Sequence, residues 1–182
     1  MTRPHALLPF VVLFVACSPA NSLQGSMGEL VSLGFNQVTV KLAQNQLVVS
    51  YLQSSDGGGL TMPFQLAVNA PDGGFQANST LLVSGLPQDG GVDGGETDAG
   101  LDGGGTTSAD GGEVVYAVAN RSVPADPRMF SPIDRGHIDI VQLPVVGQPV
   151  SGDFFVVFTY QTDGSLGSGR TVYGNFSATV TQ

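Results

Sequence analysis

The chain has 182 residues, 12% of them charged and 41% apolar, with 6 Lys and Arg against 15 Asp and Glu and a net charge of -9. Nucleic-acid binding needs clustered bases to neutralise phosphates, so this balance excludes it, together with adsorption to anionic lipid. The apolar fraction suffices for a core, and 26 glycines, 11 prolines and abundant Val, Thr and Phe mark a β composition.

The chain opens with MTRPHALLPFVVLFVACSPANS. A short basic start precedes an apolar run of 11 residues, Ala6 to Ala16, and small residues follow. That is the layout of a secretory signal. The run is too short for a hydrocarbon core of ~30 Å, which takes about 20 helical residues. It ends on Cys17, the only cysteine, so no second thiol can close a disulfide.

Val15 and Ala16 leading into Cys17 resemble the lipobox of bacterial lipoproteins, with Phe14 where that family usually has Leu. The resemblance implies diacylglycerol on the Cys17 thiol, cleavage just before it and acylation of the new amino group. The competing reading is a free thiol within an ordinary signal peptide that is cleaved further on. A lone thiol in an exported protein is a reactive liability, and lipidation removes it. Each buried methylene contributes ~0.8 kcal/mol, and two or more chains hold a protein firmly to a bilayer. The expected organisation is a signal peptide over 1–16 and a lipidated Cys17 that opens a flexible tether over 17–28. The tether sequence SPANSLQGSMG is small, polar and aperiodic.

Beyond it the chain alternates with period two. ELVSLGFNQVTVKLA (29–43) and LVVSYLQ (47–53) flank the turn QNQ and read as a hairpin. LTMPFQLAVNA (60–70) follows a glycine-rich loop, with Pro63 placing its start at an edge or bulge, and STLLVSGL (79–86) follows the turn PDGG. EVVYAVANRSV (113–123) resumes the pattern, and PADPRMFSP (124–132), with three prolines, is irregular. Three last segments each open on Gly: GHIDIVQLP (136–144), GDFFVVFTYQ (152–161) and GRTVYGNFSATV (169–180). Gly174, inside the last of these, reads as a bulge. The expectation is an all-β, antiparallel β-sandwich of about eight or nine strands. A sandwich is preferred because Phe154 to Phe158 is apolar on both faces.

Residues 87–112, PQDGGVDGGETDAGLDGGGTTSADGG, hold ten glycines and six acids but only two bulky apolar residues, Val92 and Leu101. Such a segment is expected to be a long disordered Asp/Gly-rich loop. The flanking stretches would each be marginal alone. Lengthening a turn to this size costs only about 1.6 kcal/mol of closure entropy. A single domain over 29–182, interrupted by the insert, is therefore expected. Calcium is the functional alternative for the insert, but Asp89, Asp93, Glu96, Asp98 and Asp102 lack the fixed short offsets of a calcium loop.

The Asp-Gly-Gly repeats and the lipobox together resemble envelope lipoproteins of fruiting, predatory soil bacteria. In these, such a tract accompanies a terminal module of the form G-x-I-x-I, G-x-F-x-x-x-F and G-x-F-x-A. The positions here are Gly136/Ile138/Ile140, Gly152/Phe154/Phe158 and Gly174/Phe176/Ala178, without the closing cysteine common in such modules. The resemblance implies location and fold, not chemistry.

Little points to catalysis. Past the signal the chain has one histidine, His137, with Asp139 two residues on and on the same strand face. No nucleophile elbow accompanies them, and they read as an exposed strand pair. One His and no free Cys do not make a zinc site, and no phosphate loop occurs. Carbohydrate-binding modules usually present aromatic platforms. With no Trp, only a shared exposed face of Tyr51, Tyr116, Tyr160 and Tyr173 would supply one. The expectation is a non-enzymatic envelope lipoprotein without metal or cofactor, lipid-anchored at the outer membrane on its periplasmic or cell-surface face. Its β domain has a binding or structural role, and the alternative is an extracellular module for a carbohydrate or protein partner.

Overall fold

The computed structural model describes residues 21–54, 57–86, 113–160 and 165–182. Cys17, the signal and the Asp/Gly-rich insert lie outside these residues. The described residues form nine strands: β1 Ser22–Gln24, β2 Gln37–Ala43, β3 Gln46–Ser54, β4 Leu60–Asn69, β5 Ser79–Ser84, β6 Val114–Ser122, β7 Ile133–Ile140, β8 Pro149–Phe158 and β9 Thr171–Thr181. Among the described residues the one helical element is a 3-10 turn at Ser26–Glu29. The fold is all-β, and β2 to β9 coincide with the eight stretches of alternating sequence.

The strands do not make the expected sandwich of two open sheets. Two antiparallel four-stranded sheets, β2-β3-β4-β6 and β5-β7-β8-β9, are joined at both edges into a closed eight-stranded barrel. The seams are short and parallel: Val40 and Lys41 of β2 pair with Val180 and Thr181 of β9, and Leu82 to Ser84 of β5 pair with Val114 to Tyr116 of β6. Closure removes free sheet edges, which an open sandwich would have to protect by other means. Strands from before and after the insert interleave at one place in the circuit, where β6 lies between β4 and β5.

Part of the stretch read as a tether belongs to the fold. Residues Ser22 to Gln24 pair antiparallel with Asn175 to Tyr173, along the part of the β9 edge that β2 leaves open. Leu23 is buried against the barrel, and Met27 is completely buried. The Asn21 side chain accepts from the Ser177 backbone N–H at 2.6 Å and donates to its carbonyl at 3.5 Å. Arg170 donates to the Ser26 carbonyl and pairs with Glu29. Two apolar side chains in an otherwise polar segment suffice to dock it.

Alternation sends Ile138, Ile140, Phe154, Val156, Phe158, Val172 and Phe176 inward, all nearly inaccessible. Aromatic rings then cross the interior. Phe154 of β8 stacks on Phe64 of β4 with centroids 5.4 Å apart and planes 7° apart, and meets Tyr51 of β3 at 6.1 Å. Phe158 stacks on Phe130 at 5.2 Å, and Phe130 meets Phe64 at 5.6 Å. The Tyr51 hydroxyl donates to the Asn175 carbonyl at 2.8 Å, and burial pushes its phenol well above the ordinary value.

Gly174 does not mark a bulge. It holds regular register between Phe154 and Leu23, and a Cβ there would meet the Ser22 carbonyl at 2.5 Å and the Tyr51 hydroxyl at 3.0 Å. Gly152 is comparable: its cross-strand partner is Phe176, whose ring a Cβ would strike at 2.7 Å. Gly152 and Gly174 are thus interior holes filled by the Phe176 ring in the one case and by Tyr51 and Phe154 in the other.

The proline-rich stretch after β6 is irregular, as its sequence implies, but it is fastened. Buried Arg121 donates to the Asp126 and Arg128 carbonyls and pairs with the Asp126 carboxylate at 3.1 Å. The hydrogen bond from Arg128, reinforced by the Arg121 charge, holds the Asp126 carboxyl well below the usual carboxylate range.

Two outcomes follow from this packing. Phe154→Ala should lower unfolding free energy by about 3–5 kcal/mol in chemical denaturation, since it empties the contact between the two halves. Gly152→Ala should destabilise despite the higher strand propensity of Ala, because backbone and the Phe176 ring occupy the space; a melting temperature equal to the parent would contradict the interior-hole account.

Candidate functional site

Hairpin register builds the candidate site. The β7–β8 ladder sets Asp139 opposite Asp153 and His137 opposite Phe155. The β8–β9 ladder sets Asp153 opposite Asn175 and Phe155 opposite Tyr173, and β5 sets Thr80 opposite Asp139 and Leu82 opposite His137. Since inward residues alternate with these, both series lie on the outer wall of the barrel. One row reads Thr80, Asp139, Asp153, Asn175, Ser22, and the next reads Leu82, His137, Phe155, Tyr173, Gln24. The first is a line of hydrogen-bonding groups; the second places three flat rings on adjacent strands.

The rows are held locally. The His137 ring stacks on Phe155 with centroids 6.0 Å apart and planes 28° apart. The Thr80 hydroxyl donates to the Asp139 carboxylate. Tyr173, 44% exposed, bonds through its hydroxyl to the Gln24 side chain at 3.4 Å. Partial desolvation, then the charge and hydrogen bond of Asp139, raise the Asp153 carboxyl above its ordinary value, against an opposite pull from His137. The Asn175 side-chain oxygen is buried without a hydrogen-bond partner. Two open grooves of about 400 and 390 Å³ flank the His137–Phe155 pair, one toward Leu82 and Arg135, the other toward Tyr173 and Asn175.

His137 and Asp139 share a face, as their spacing requires, and the fold adds Asp153. One imidazole nitrogen and one oxygen from each carboxylate lie within 4.8 Å of one another, close enough for one cation to bridge them. Sequence reasoning finds the His137/Asp139 pair but not Asp153. The signal was present in the hairpin: once Ile140 is set opposite Gly152, Asp139 must face Asp153. Of the four tyrosines only Tyr173 joins this surface. Tyr51 is in the core, while Tyr116 and Tyr160 are exposed on β6 and after β8. They do not make a tyrosine platform; the adjacent rings are those of His137, Phe155 and Tyr173. Cys17, the residue singled out for lipidation, lies outside the described residues.

Comparison of the chain with protein-family models, with curated proteins and with solved structures finds no match.

The raised Asp153 carboxyl has a testable sign. A carboxyl that holds its proton more tightly in the folded state than in the unfolded one costs stability once pH rises and it ionises. Asp153→Asn should therefore melt higher than the parent at neutral pH, and the difference should vanish in acid, where both carry a neutral group. Melting curves from pH 3 to 8 that run parallel would contradict the crowding of Asp153 by Asp139.

Proposed function

We propose that the chain is a lipid-anchored protein of the bacterial cell envelope, held through acylated Cys17 at the outer membrane on its periplasmic or cell-surface face. Its barrel serves as a non-catalytic binding or structural module. The anchor reading rests on the apolar run that ends in Val15, Ala16 and Cys17. The binding role rests on one observation, the row of rings at His137, Phe155 and Tyr173 beside the polar row at Asp139, Asp153 and Asn175.

That observation favours the carbohydrate reading among possible ligands. A sugar presents an apolar C–H face that packs on flat rings and hydroxyls that donate to carboxylates. An exposed wall with both kinds of group in adjacent rows offers the two together, and the grooves beside it are open to a chain-like ligand. Acid–base chemistry on a glycoside would demand two carboxyls straddling the scissile bond, ~5 Å or more apart. Here one oxygen each from Asp139 and Asp153 lie within 4.8 Å of each other, side by side on one row of the outer wall, and the pair is read as holding a hydroxyl.

Two experiments test this. Cys17→Ser should move the protein from the membrane fraction to the soluble one and abolish labelling with radioactive palmitate; a labelled, membrane-bound variant would refute the anchor. A glycan array, probed with residues 17–182, should give binding that Tyr173→Ala weakens at least tenfold while the melting temperature holds. Binding indifferent to Tyr173 would move the ligand elsewhere on the barrel.

A further inference from the structure

The loop between β7 and β8 is unlike the rest of the surface. From Val141 to Gly152 the sequence VQLPVVGQPVSG contains no charged residue. Val141, Leu143, Val145 and Val146 are each 45–49% exposed, four large apolar side chains within six positions. Nor is the loop slack. Gln148 donates its backbone N–H to the Val145 carbonyl, closing a tight turn with Gly147 at φ 83°, and Gly147 donates to the Val180 carbonyl. The Gln142 side chain accepts from the Ser151 N–H and hydroxyl, and Pro144 is buried. The one polar side chain near the start of the loop is thus folded back, and the apolar ones are presented outward. A contiguous apolar projection of this kind marks a contact surface.

The path of the chain says what it contacts. Because β1 runs antiparallel to β9, Asn21 lies toward the C-terminal end of β9, where it is bonded to Ser177. Ser177 pairs with Ser151 of β8, and the Ser151 carbonyl accepts from the N–H of Val141. Asn21 thus lies about three strand spacings, ~14 Å, from the start of the apolar loop, at the same end of the barrel. Cys17 is four residues before Asn21, a reach of at most ~14 Å even when fully extended. An anchor at Cys17 cannot hold the barrel far from the bilayer, and the end it draws in is the one bearing the loop. The acids nearest the loop are Asp139 and Asp153, which face outward on the wall behind it, while Asp72 and Glu113, where Glu113 accepts from the Asp72 N–H, lie across the barrel beside β4 and β6.

We propose that the Val141–Val146 loop is a second membrane contact, which inserts into the interfacial zone of the same bilayer that holds the Cys17 anchor and fixes the barrel's orientation upon it. This rests on the lipid-anchor reading. The occupant is the acyl–headgroup boundary of a lipid bilayer, taken without regard to headgroup charge, since the loop offers no base for anionic lipid. Short distance to the anchor gives the loop a high effective concentration at the surface, so it need not bind membranes alone.

The chain's lack of Trp makes the test clean. Residues 17–182 are coupled through the Cys17 thiol to a maleimide phospholipid in phosphatidylcholine vesicles, so that tethering does not depend on cellular acylation. Leu143→Trp places a probe in the loop, and Leu60→Trp places one at the far end of β4, where the residue is also exposed. Expected is a blue shift of the Leu143→Trp emission on tethering and at least twofold quenching by brominated lipid, with the Leu60→Trp emission unmoved. Neither probe responding, or both responding alike, overturns the proposal. So does unchanged Leu143→Trp quenching when Val145 and Val146 are both replaced by Asp. Failure of the anchor reading shows separately, as Cys17→Ser remaining in the membrane fraction of cells.

Discussion

The contact on which this barrel depends is the stack of Phe154 on Phe64 across the interior, at 5.4 Å and nearly parallel. Hydrogen bonds alone tie the two four-stranded sheets together weakly, since the seams comprise only two and three paired positions. The rest of the connection is side-chain packing, and β8 supplies most of it. Phe154 touches Tyr51 and Phe64, and Phe158 reaches Phe64 through Phe130. Glycines make room for this: without the Cβ at Gly174, the Tyr51 hydroxyl and the Phe154 ring occupy the space beneath β9. Small residues at one position and rings at the next are two halves of one packing rule.

That rule explains what the sequence reveals and what it conceals. Alternation is a local signal, and β2 to β9 announce themselves through it; Ile138 and Ile140, or Phe154, Val156 and Phe158, are legible as inward faces. Closure is not local. Nothing in the sequence around Val40 or Val180 distinguishes a two-residue parallel seam from the edge of an open sheet, so a sandwich and a flattened barrel share one pattern. The apolar character of Phe155 and Val157, which favours a layered sheet in sequence, has another origin: Val157 is covered, while Phe155 serves as the plate on which His137 stacks. β1 escapes for a different reason. A three-residue strand has no period to detect, and its docking depends on Leu23 and Met27, two apolar residues that look incidental in a polar stretch.

The candidate site shows the same division. His137 and Asp139 are neighbours by alternation, whereas Asp153, Asn175 and Tyr173 reach them only through the registers of two successive hairpins. Each is fourteen or more residues away in sequence, and none carries a motif. Site residues of this kind are set by counting back from turns, not by spacing along a strand. Gly152 and Gly174, where a Cβ would strike core rings, alternate with Asp153, Tyr173 and Asn175 along the same strands, so core packing and the outer rows are coupled through register.

Placing the barrel on a membrane gives the outer rows an address. Asp139 lies two residues from Val141, which on a strand is ~7 Å, and the ring row at His137 lies ~14 Å from it. With the apolar loop in the interface, the carboxylate row stands at the level of the lipid headgroups and the rings stand just above it, both facing sideways rather than away from the bilayer. A ligand gripped there lies along the membrane, not perpendicular to it. This orientation suits a polymer that runs parallel to the envelope, and it disfavours a partner that approaches from free solution. The acidic surplus of the chain acts in the same direction. On a membrane it repels anionic headgroups from the barrel wall, so the wall beside the Val141–Val146 loop stays free of them.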